Sequence, residues 1–303
     1  MPDASSDAPV ENLSVARVNE IDLCYQTFGD AAKPAILLIM GLGTQMLGWD
    51  EGFCRQLAQR GYYVIRFDNR DIGKSTWLDH LPAPSLIALL TQTKPGTKPA
   101  VPYALKDMAA DTIGLLDALG IARAHIVGAS MGGMIGQEIA IHHPERMLTF
   151  TSIMSSTGDP KLPGPKPEAL ALLMAAPATD EASFLEGYAK MWTVLRAGSF
   201  PDDEARDGER GRAVWARGYH PAGSARQFGA IFASGNRTEA LKNVKVPTLV
   251  IHGRPDPLVP VEAGLATAAA IPNAKLRIIE TMGHALPTPM WNEIVDAIAE
   301  HAR

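Results

Sequence analysis

From residue 35 apolar-rich runs punctuate the chain, and the strands they predict are Ala35-Ile-Leu-Leu-Ile-Met40, then 62–67, 124–128, 148–154, 246–252 and 275–280. A strand with one wet face alternates apolar and polar residues. A run without alternation is dry on both faces, as strands of a helix-covered parallel sheet are. Between the runs lie amphipathic stretches at helical spacing. Leu105, Met108, Thr112, Leu115, Leu116 and Leu119 share one stripe with Gly120 just beyond it, predicting a helix over 104–119. Helices are also predicted over 131–142 and 290–302. Ahead of them, Leu13–Val18 and Ile21–Phe28 are β-rich segments joined at Asn19-Glu20, which predicts an antiparallel hairpin at a sheet edge. The alternation predicts an α/β fold with a mostly parallel, doubly wound sheet.

Two stretches interrupt it. Residues 79–102 carry five prolines and read as a surface loop holding one short apolar helix, Ser85-Leu-Ile-Ala-Leu-Leu90. Residues 156–240 contain no convincing strand; they open with a Pro/Gly-rich segment and continue with helical patterns. In one of these Phe184, Tyr188, Met191, Trp192 and Leu195 share a face and Gly198 closes the helix. The expected organisation is a core of residues 1–155 and 241–303 with a helical insertion over 156–240.

Composition narrows the function. Of 303 residues, 46% are hydrophobic and 20% charged, which suits a buried core and excludes intrinsic disorder and fibrous repeats. With 28 Lys and Arg against 33 Asp and Glu the net charge is −5, so no basic excess serves a phosphate backbone and nucleic acid is not an expected partner. Cys24 and Cys54 form no metal-spaced set and are expected as reduced core thiols. The first twenty residues hold acids and no apolar h-region, and the most apolar run is about a third of a bilayer span. No membrane partner is expected, and the cytoplasm is the default compartment. Monomer or homodimer stays open.

Chemistry concentrates where the runs end. After the run 124–128 comes Gly128-Ala-Ser-Met-Gly132 and then a helix, which is G-x-S-x-G in the strand–turn–helix setting that motif requires. A turn this tight strains the serine backbone and presents Ser130 at the carboxyl edge of the sheet. The bland alternative is a small-residue turn that happens to contain serine. A serine hydroxyl attacks well only when a neutral imidazole takes its proton and a carboxylate fixes the imidazole tautomer. Of eight histidines, His284 follows the last run in Thr281-Met-Gly-His-Ala-Leu-Pro287, where a loop can reach back over the sheet edge. Asp256 lies four residues beyond the run 246–252, flanked by prolines that stiffen its loop. Their bland readings are a surface-loop histidine and a turn-forming aspartate, and Asp159 is the fallback acid. For the oxyanion hole, Met131 N–H follows the nucleophile directly and Leu42 N–H belongs to the flexible Met40-Gly-Leu-Gly43 segment. In Phe67-Asp-Asn-Arg-Asp-Ile-Gly-Lys-Ser75, Asp68 and Arg70 are expected to pair or to hydrogen-bond to the backbone as structural support. No Walker sequence, dinucleotide fingerprint or metal set occurs, so no cofactor or metal is expected.

With these motifs in order, the chain resembles the α/β-hydrolase fold superfamily over essentially its whole length. It is similar to bacterial carboxylesterase-type members, including the aclacinomycin methylesterase group, which share Met-Gly rather than His-Gly in the oxyanion loop. The resemblance implies that 156–240 forms a helical cap roofing the site. It also implies a cofactor-free serine hydrolase acting on small carboxylic esters, with Ser130, Asp256 and His284 as triad. Apolar cap residues such as Leu172, Phe184, Met191, Trp192 and Phe228 predict an apolar acyl or aryl pocket. The same triad also suits C–C bond, lactone or amide hydrolysis or perhydrolysis, and a silent ligand-binding protein is the alternative outside enzymes.

Overall fold

The apolar runs become the strands of a single eight-stranded sheet. In chain order these are β1 (Ser14–Val18), β2 (Ile21–Phe28), β3 (Ala35–Ile39), β4 (Tyr63–Phe67), β5 (Ala124–Ala129), β6 (Met147–Ile153), β7 (Thr248–Gly253) and β8 (Lys275–Ile279). They lie side by side as β1-β2-β4-β3-β5-β6-β7-β8. The computed structural model describes residues 13–85, 89, 100–200 and 203–303. Strands β3 to β8 run parallel, while β1–β2 and β2–β4 are antiparallel, as the hairpin pattern predicts. Asn19 and Glu20 close that hairpin at φ 46° and 67°. Two successive left-handed residues are what a two-residue turn matched to strand twist needs.

Helices cover both faces. They are α1 (Glu51–Gln59), α2 (Leu105–Ala118), α3 (Met131–His142), α4 (Pro167–Leu173), α5 (Glu181–Leu195), α6 (Glu204–Arg217), α7 (Pro221–Ser234), α8 (Thr238–Leu241), α9 (Val261–Ala270) and α10 (Trp291–His301). Leu37 and Ile39 enter one core cluster with α2 and α3, whereas Ile36 and Leu38 enter another with α1 and α10. Each side chain of β3 therefore points alternately into one of two dry layers. Full burial of one such side chain stabilises the fold by about 1.5–3 kcal/mol. Cys24 and Cys54, expected as reduced core thiols, are both buried and outside any disulfide, and burial pushes the Cys54 thiol up to about 12.

Two helices have no counterpart in the sequence reading. Helix α1 is short and starts where the Asp50 side chain accepts from Gly52 N–H at 2.7 Å. Helix α9 is built largely of Ala and Gly, so it carries almost no apolar contrast to read. Most of the short helix expected at 85–90 lies outside the described residues. Between β6 and β7 the described chain forms helices α4 to α8 and no strand. In α5 the predicted face is the buried one: Phe184, Tyr188, Trp192 and Leu195 are inside, and Asp180 caps the helix by accepting from Ser183 N–H at 2.8 Å. No helix among the described residues is long and apolar enough to cross a membrane.

Strand order decides where a site can form. From β3 the chain steps to β4 on one side, then returns to place β5 on the other side of β3. Connections diverge at this switch point and leave a crevice beyond the carboxyl ends of β3 and β5. Met40-Gly-Leu-Gly43 and Ser130 are the residues that emerge there.

Candidate active site

Ser130 sits between the end of β5 and the first turn of α3 at φ 56° and ψ −120°, a conformation L-residues rarely adopt. Its surroundings hold it there. Ser130 N–H donates to Ile153 O at 2.9 Å, and its carbonyl accepts from Ser155 Oγ at 2.8 Å. The flanking glycines answer a space requirement. A Cβ on Gly128 would collide with the Gly132 carbonyl, and one on Gly132 with the Ile39 carbonyl, so strand, turn and helix meet at backbone distance.

The loop after β3 packs directly on this turn. A Cβ built on Gly41 would stand 3.0 Å from Ser130 Cβ and 3.5 Å from its Oγ. The turn is pinned by Asn69 Nδ2 donating to Met40 O at 3.1 Å and by Thr44 N–H donating to Gly41 O at 3.3 Å. Neither Leu42 N–H nor Met131 N–H has a protein acceptor among the described residues. The two amides predicted for an oxyanion hole are therefore available as donors, on the two segments that meet at Ser130.

Asp256 and His284 are brought together from loops 28 residues apart in sequence. Asp256 is fully enclosed; its Oδ1 accepts from Leu258 N–H at 2.9 Å and Val259 N–H at 2.8 Å, while Oδ2 lies 2.8 Å from His284 Nδ1. A carboxylate oxygen accepts, so this contact selects the imidazole tautomer with the proton on Nδ1 and the lone pair on Nε2. The base is held from its other side as well. His284 N–H donates to Leu195 O at the end of α5 at 2.7 Å, and a side chain on Gly283 would strike that same carbonyl. Met282 shares a buried cluster with Met40, Ala129 and Met154, so the loop bearing His284 packs against the segments that adjoin Ser130. Asp159, the fallback acid, instead closes its own turn by accepting from Lys161 N–H at 3.0 Å.

His252, at the end of β7, is a neighbour of Asp256 that the sequence reading did not single out. Its Nε2 is 2.8 Å from Val259 O and 3.5 Å from Asp256 Oδ2, and its Nδ1 is buried with no partner. Burial holds its pKa below the ordinary value, against the pull of Asp256. A neutral imidazole with Nε2–H toward Val259 adds a positive edge beside the carboxylate without adding a charge.

Segment 67–75 works as expected in one respect and differs in another. Asp68 accepts from Met46 N–H at 2.7 Å and Lys74 N–H at 2.9 Å, and Arg70 reaches Asp107 O at 3.3 Å. The two do not pair with each other. Asp68 takes Arg217 of α6 at 2.6 Å, and Arg70 takes Asp111 of α2 while lying over the Tyr103 ring. Asp71, at φ 71°, binds Arg226 of α7 through two hydrogen bonds of 2.9 and 2.7 Å. Side chains close in sequence thus reach different layers, Asp68 and Asp71 to helices α6 and α7 between β6 and β7 and Arg70 to α2.

Those helices also form an apolar cluster of their own. Phe184, Tyr188, Trp192, Leu195 and Val214 pack with Leu47, Leu258 and Ala285, the last two adjoining Asp256 and His284. Beside it lies a cleft lined by Met40, Met154 and Trp192 together with Arg196, Arg206 and Arg210. Arg196 and Arg210 both engage Asp207, and Arg206 engages Asp50, so this wall carries its own counter-charges.

Residues 34–287 match the model of the alpha/beta hydrolase fold family. The chain is 30% identical to the rhodomycin D methylesterase DauP of Streptomyces sp. (strain C5), covering 94% of this chain and 96% of that protein. It is 28% identical to 3-oxoadipate enol-lactonase 2 of Acinetobacter baylyi, over 92% of this chain and 93% of that one. Among solved structures, a hydrolase from Pseudomonas aeruginosa PA01 superposes with a TM-score of 0.68 at 27% identity, covering 96% of each chain.

Proposed function

The chain belongs to the alpha/beta hydrolase fold family, and from that premise we propose that it cleaves carboxylic esters through an acyl-enzyme on Ser130. His284 Nε2 takes the Ser130 hydroxyl proton as Oγ attacks the carbonyl carbon. The resulting oxyanion is met by Leu42 N–H and Met131 N–H, and His284 then passes its proton to the departing alkoxide. Water attacks the acyl-serine by the same route in reverse, giving the carboxylic acid and restoring Ser130. Asp256 keeps Nδ1 protonated, so that Nε2 always faces the hydroxyl as a base. None of these steps calls for a metal or cofactor.

The observation that carries this reading is the Asp256–His284 hydrogen bond of 2.8 Å, with the other carboxylate oxygen locked by two backbone amides. A surface-loop histidine or a turn-forming aspartate has no need of such a pair. The named activities of the relatives, a methylesterase and an enol-lactonase, are both acyl–oxygen cleavages. We read residues 156–240 as a cap over a core of 1–155 and 241–303. A neutral, apolar acyl or aryl substrate suits it, because the cap presents aromatic side chains and Arg196, Arg206 and Arg210 beside them are already paired. The test is turnover of p-nitrophenyl esters of increasing acyl length by wild type and Ser130→Ala. Loss of turnover in the variant by at least about 10³-fold supports the reading; undiminished turnover overturns it. Lactones and C–C substrates assayed in parallel separate the same-triad alternatives.

A further inference from the structure

The amide of Gln227 links the inserted helices to the proposed oxyanion loop. This side chain is wholly buried on α7, and both ends of its amide are used. Its Oε1 accepts from Gly43 N–H at 2.9 Å, and its Nε2 donates to Arg70 O at 2.8 Å. Gly43 has φ +64°, and a side chain there would meet Ser224 Oγ of the same helix at 2.9 Å. The helix itself is fixed, since the adjacent Arg226 holds Asp71 through two hydrogen bonds. At the other end of the turn, Asn69 grips Met40 O, and Thr44 Oγ1 donates to Leu42 O at 3.1 Å. With Gly43 N–H committed to Gln227, the Gly41–Gly43 peptides cannot rotate freely, and Leu42 N–H is left as an available donor beside Ser130.

We infer that Gln227 is a positioning residue for the oxyanion hole, acting through Gly43 and making one helix of the insertion part of the catalytic apparatus. This rests on the ester-hydrolase reading above. It assigns Gln227 no contact with substrate: its contribution is to hold one donor in place before the oxyanion forms, so it acts on the transition state more than on substrate binding.

The experiment compares wild type, Gln227→Met, Gln227→Glu and Ser130→Ala on p-nitrophenyl butyrate, with active sites counted by exhaustive fluorophosphonate labelling. Methionine fills the same space and makes neither hydrogen bond; glutamate keeps the acceptor for Gly43 N–H. For Gln227→Met, kcat per labelled site is expected to fall roughly 10- to 100-fold, less than the 10²–10³ for losing a whole oxyanion donor. KM should stay within about threefold, and affinity for a trifluoromethyl ketone, which forms an oxyanion on the serine, should fall by the same factor as kcat/KM. Gln227→Glu is expected to lose less than Gln227→Met, and it alone carries the test if the methionine variant does not fold. A merely structural glutamine would lower the melting temperature while leaving kcat per labelled site and ketone affinity unchanged, and that result overturns the inference. An inactive Ser130→Ala beside a fully active Gln227→Met sinks this inference alone; a fully active Ser130→Ala sinks the ester-hydrolase reading and the inference with it.

Discussion

His125 makes the fold acid-sensitive from the middle of its sheet. It lies in β5, 6% exposed, with Nδ1 2.9 Å from Thr149 Oγ1 and its ring edge-on to Tyr62. Burial, helped by the nearby His301 and Arg123 charges, pushes it down to about 4. In the unfolded chain the imidazole titrates near 6.5. Between those values the unfolded chain binds a proton that the folded chain refuses, so stability rises with pH. The contribution is fully present above about pH 6.5, is lost as pH falls toward 4, and levels off below. At pH 5 the loss is about 2 kcal/mol, out of about 3 kcal/mol for the whole span. Urea unfolding at pH 7 and pH 5 tests this on wild type and His125→Asn, whose amide keeps a partner for Thr149 and does not ionise. His252 and His301, also held low, titrate in both proteins and largely cancel. Wild type should lose about 2 kcal/mol more than the variant between the two pH values. Equal losses within about 0.5 kcal/mol refute the reasoning.

Asp256→Asn should preserve the loop, because its carbonyl still accepts from Leu258 and Val259, but its NH2 would face His284 Nδ1 and turn the proton to Nε2. The expected loss is about 10⁴-fold in kcat with little change in KM, measured on p-nitrophenyl butyrate. Arg226→Ala removes the guanidinium from the buried Asp71 carboxylate, which keeps Leu78 N–H and Tyr103 OH as donors but loses its two charge-assisted hydrogen bonds and its counter-charge. It should cost about 3–5 kcal/mol in urea unfolding at pH 7, where an exposed pair would cost under 1.

The parts of the molecule legible in the sequence are those set by local pattern. Runs such as 35–40 can be read because a strand buried on both faces leaves no polar alternation, and Ser130, Asp256 and His284 stand out because each follows a predicted strand. Helix α9 could not be read, since a ten-residue Ala/Gly-rich helix packs by smallness: Gly264 lies against the His252 ring with no room for a side chain. The partners of Asp68, Asp71 and Gly43 could not be read either. They are Arg217, Arg226 and Gln227, about 150 to 180 residues further on. A buried polar group must find a partner, but sequence spacing says nothing about which one when the partner arrives from another layer. Asp68 and Arg70, expected to pair or to hydrogen-bond to the backbone, do the latter and take their charged partners from α6 and α2.

The central claim is that Ser130 is the nucleophile and is activated by His284. Its most direct test is labelling of the folded protein with a fluorophosphonate, followed by peptide mapping in a mass spectrometer, for wild type and His284→Ala. One phosphonyl group on the peptide bearing Ser130 in wild type, with labelling slowed at least a hundredfold in His284→Ala, is the predicted result. Modification of a different residue, or an intact wild-type Ser130 after prolonged exposure, contradicts the account.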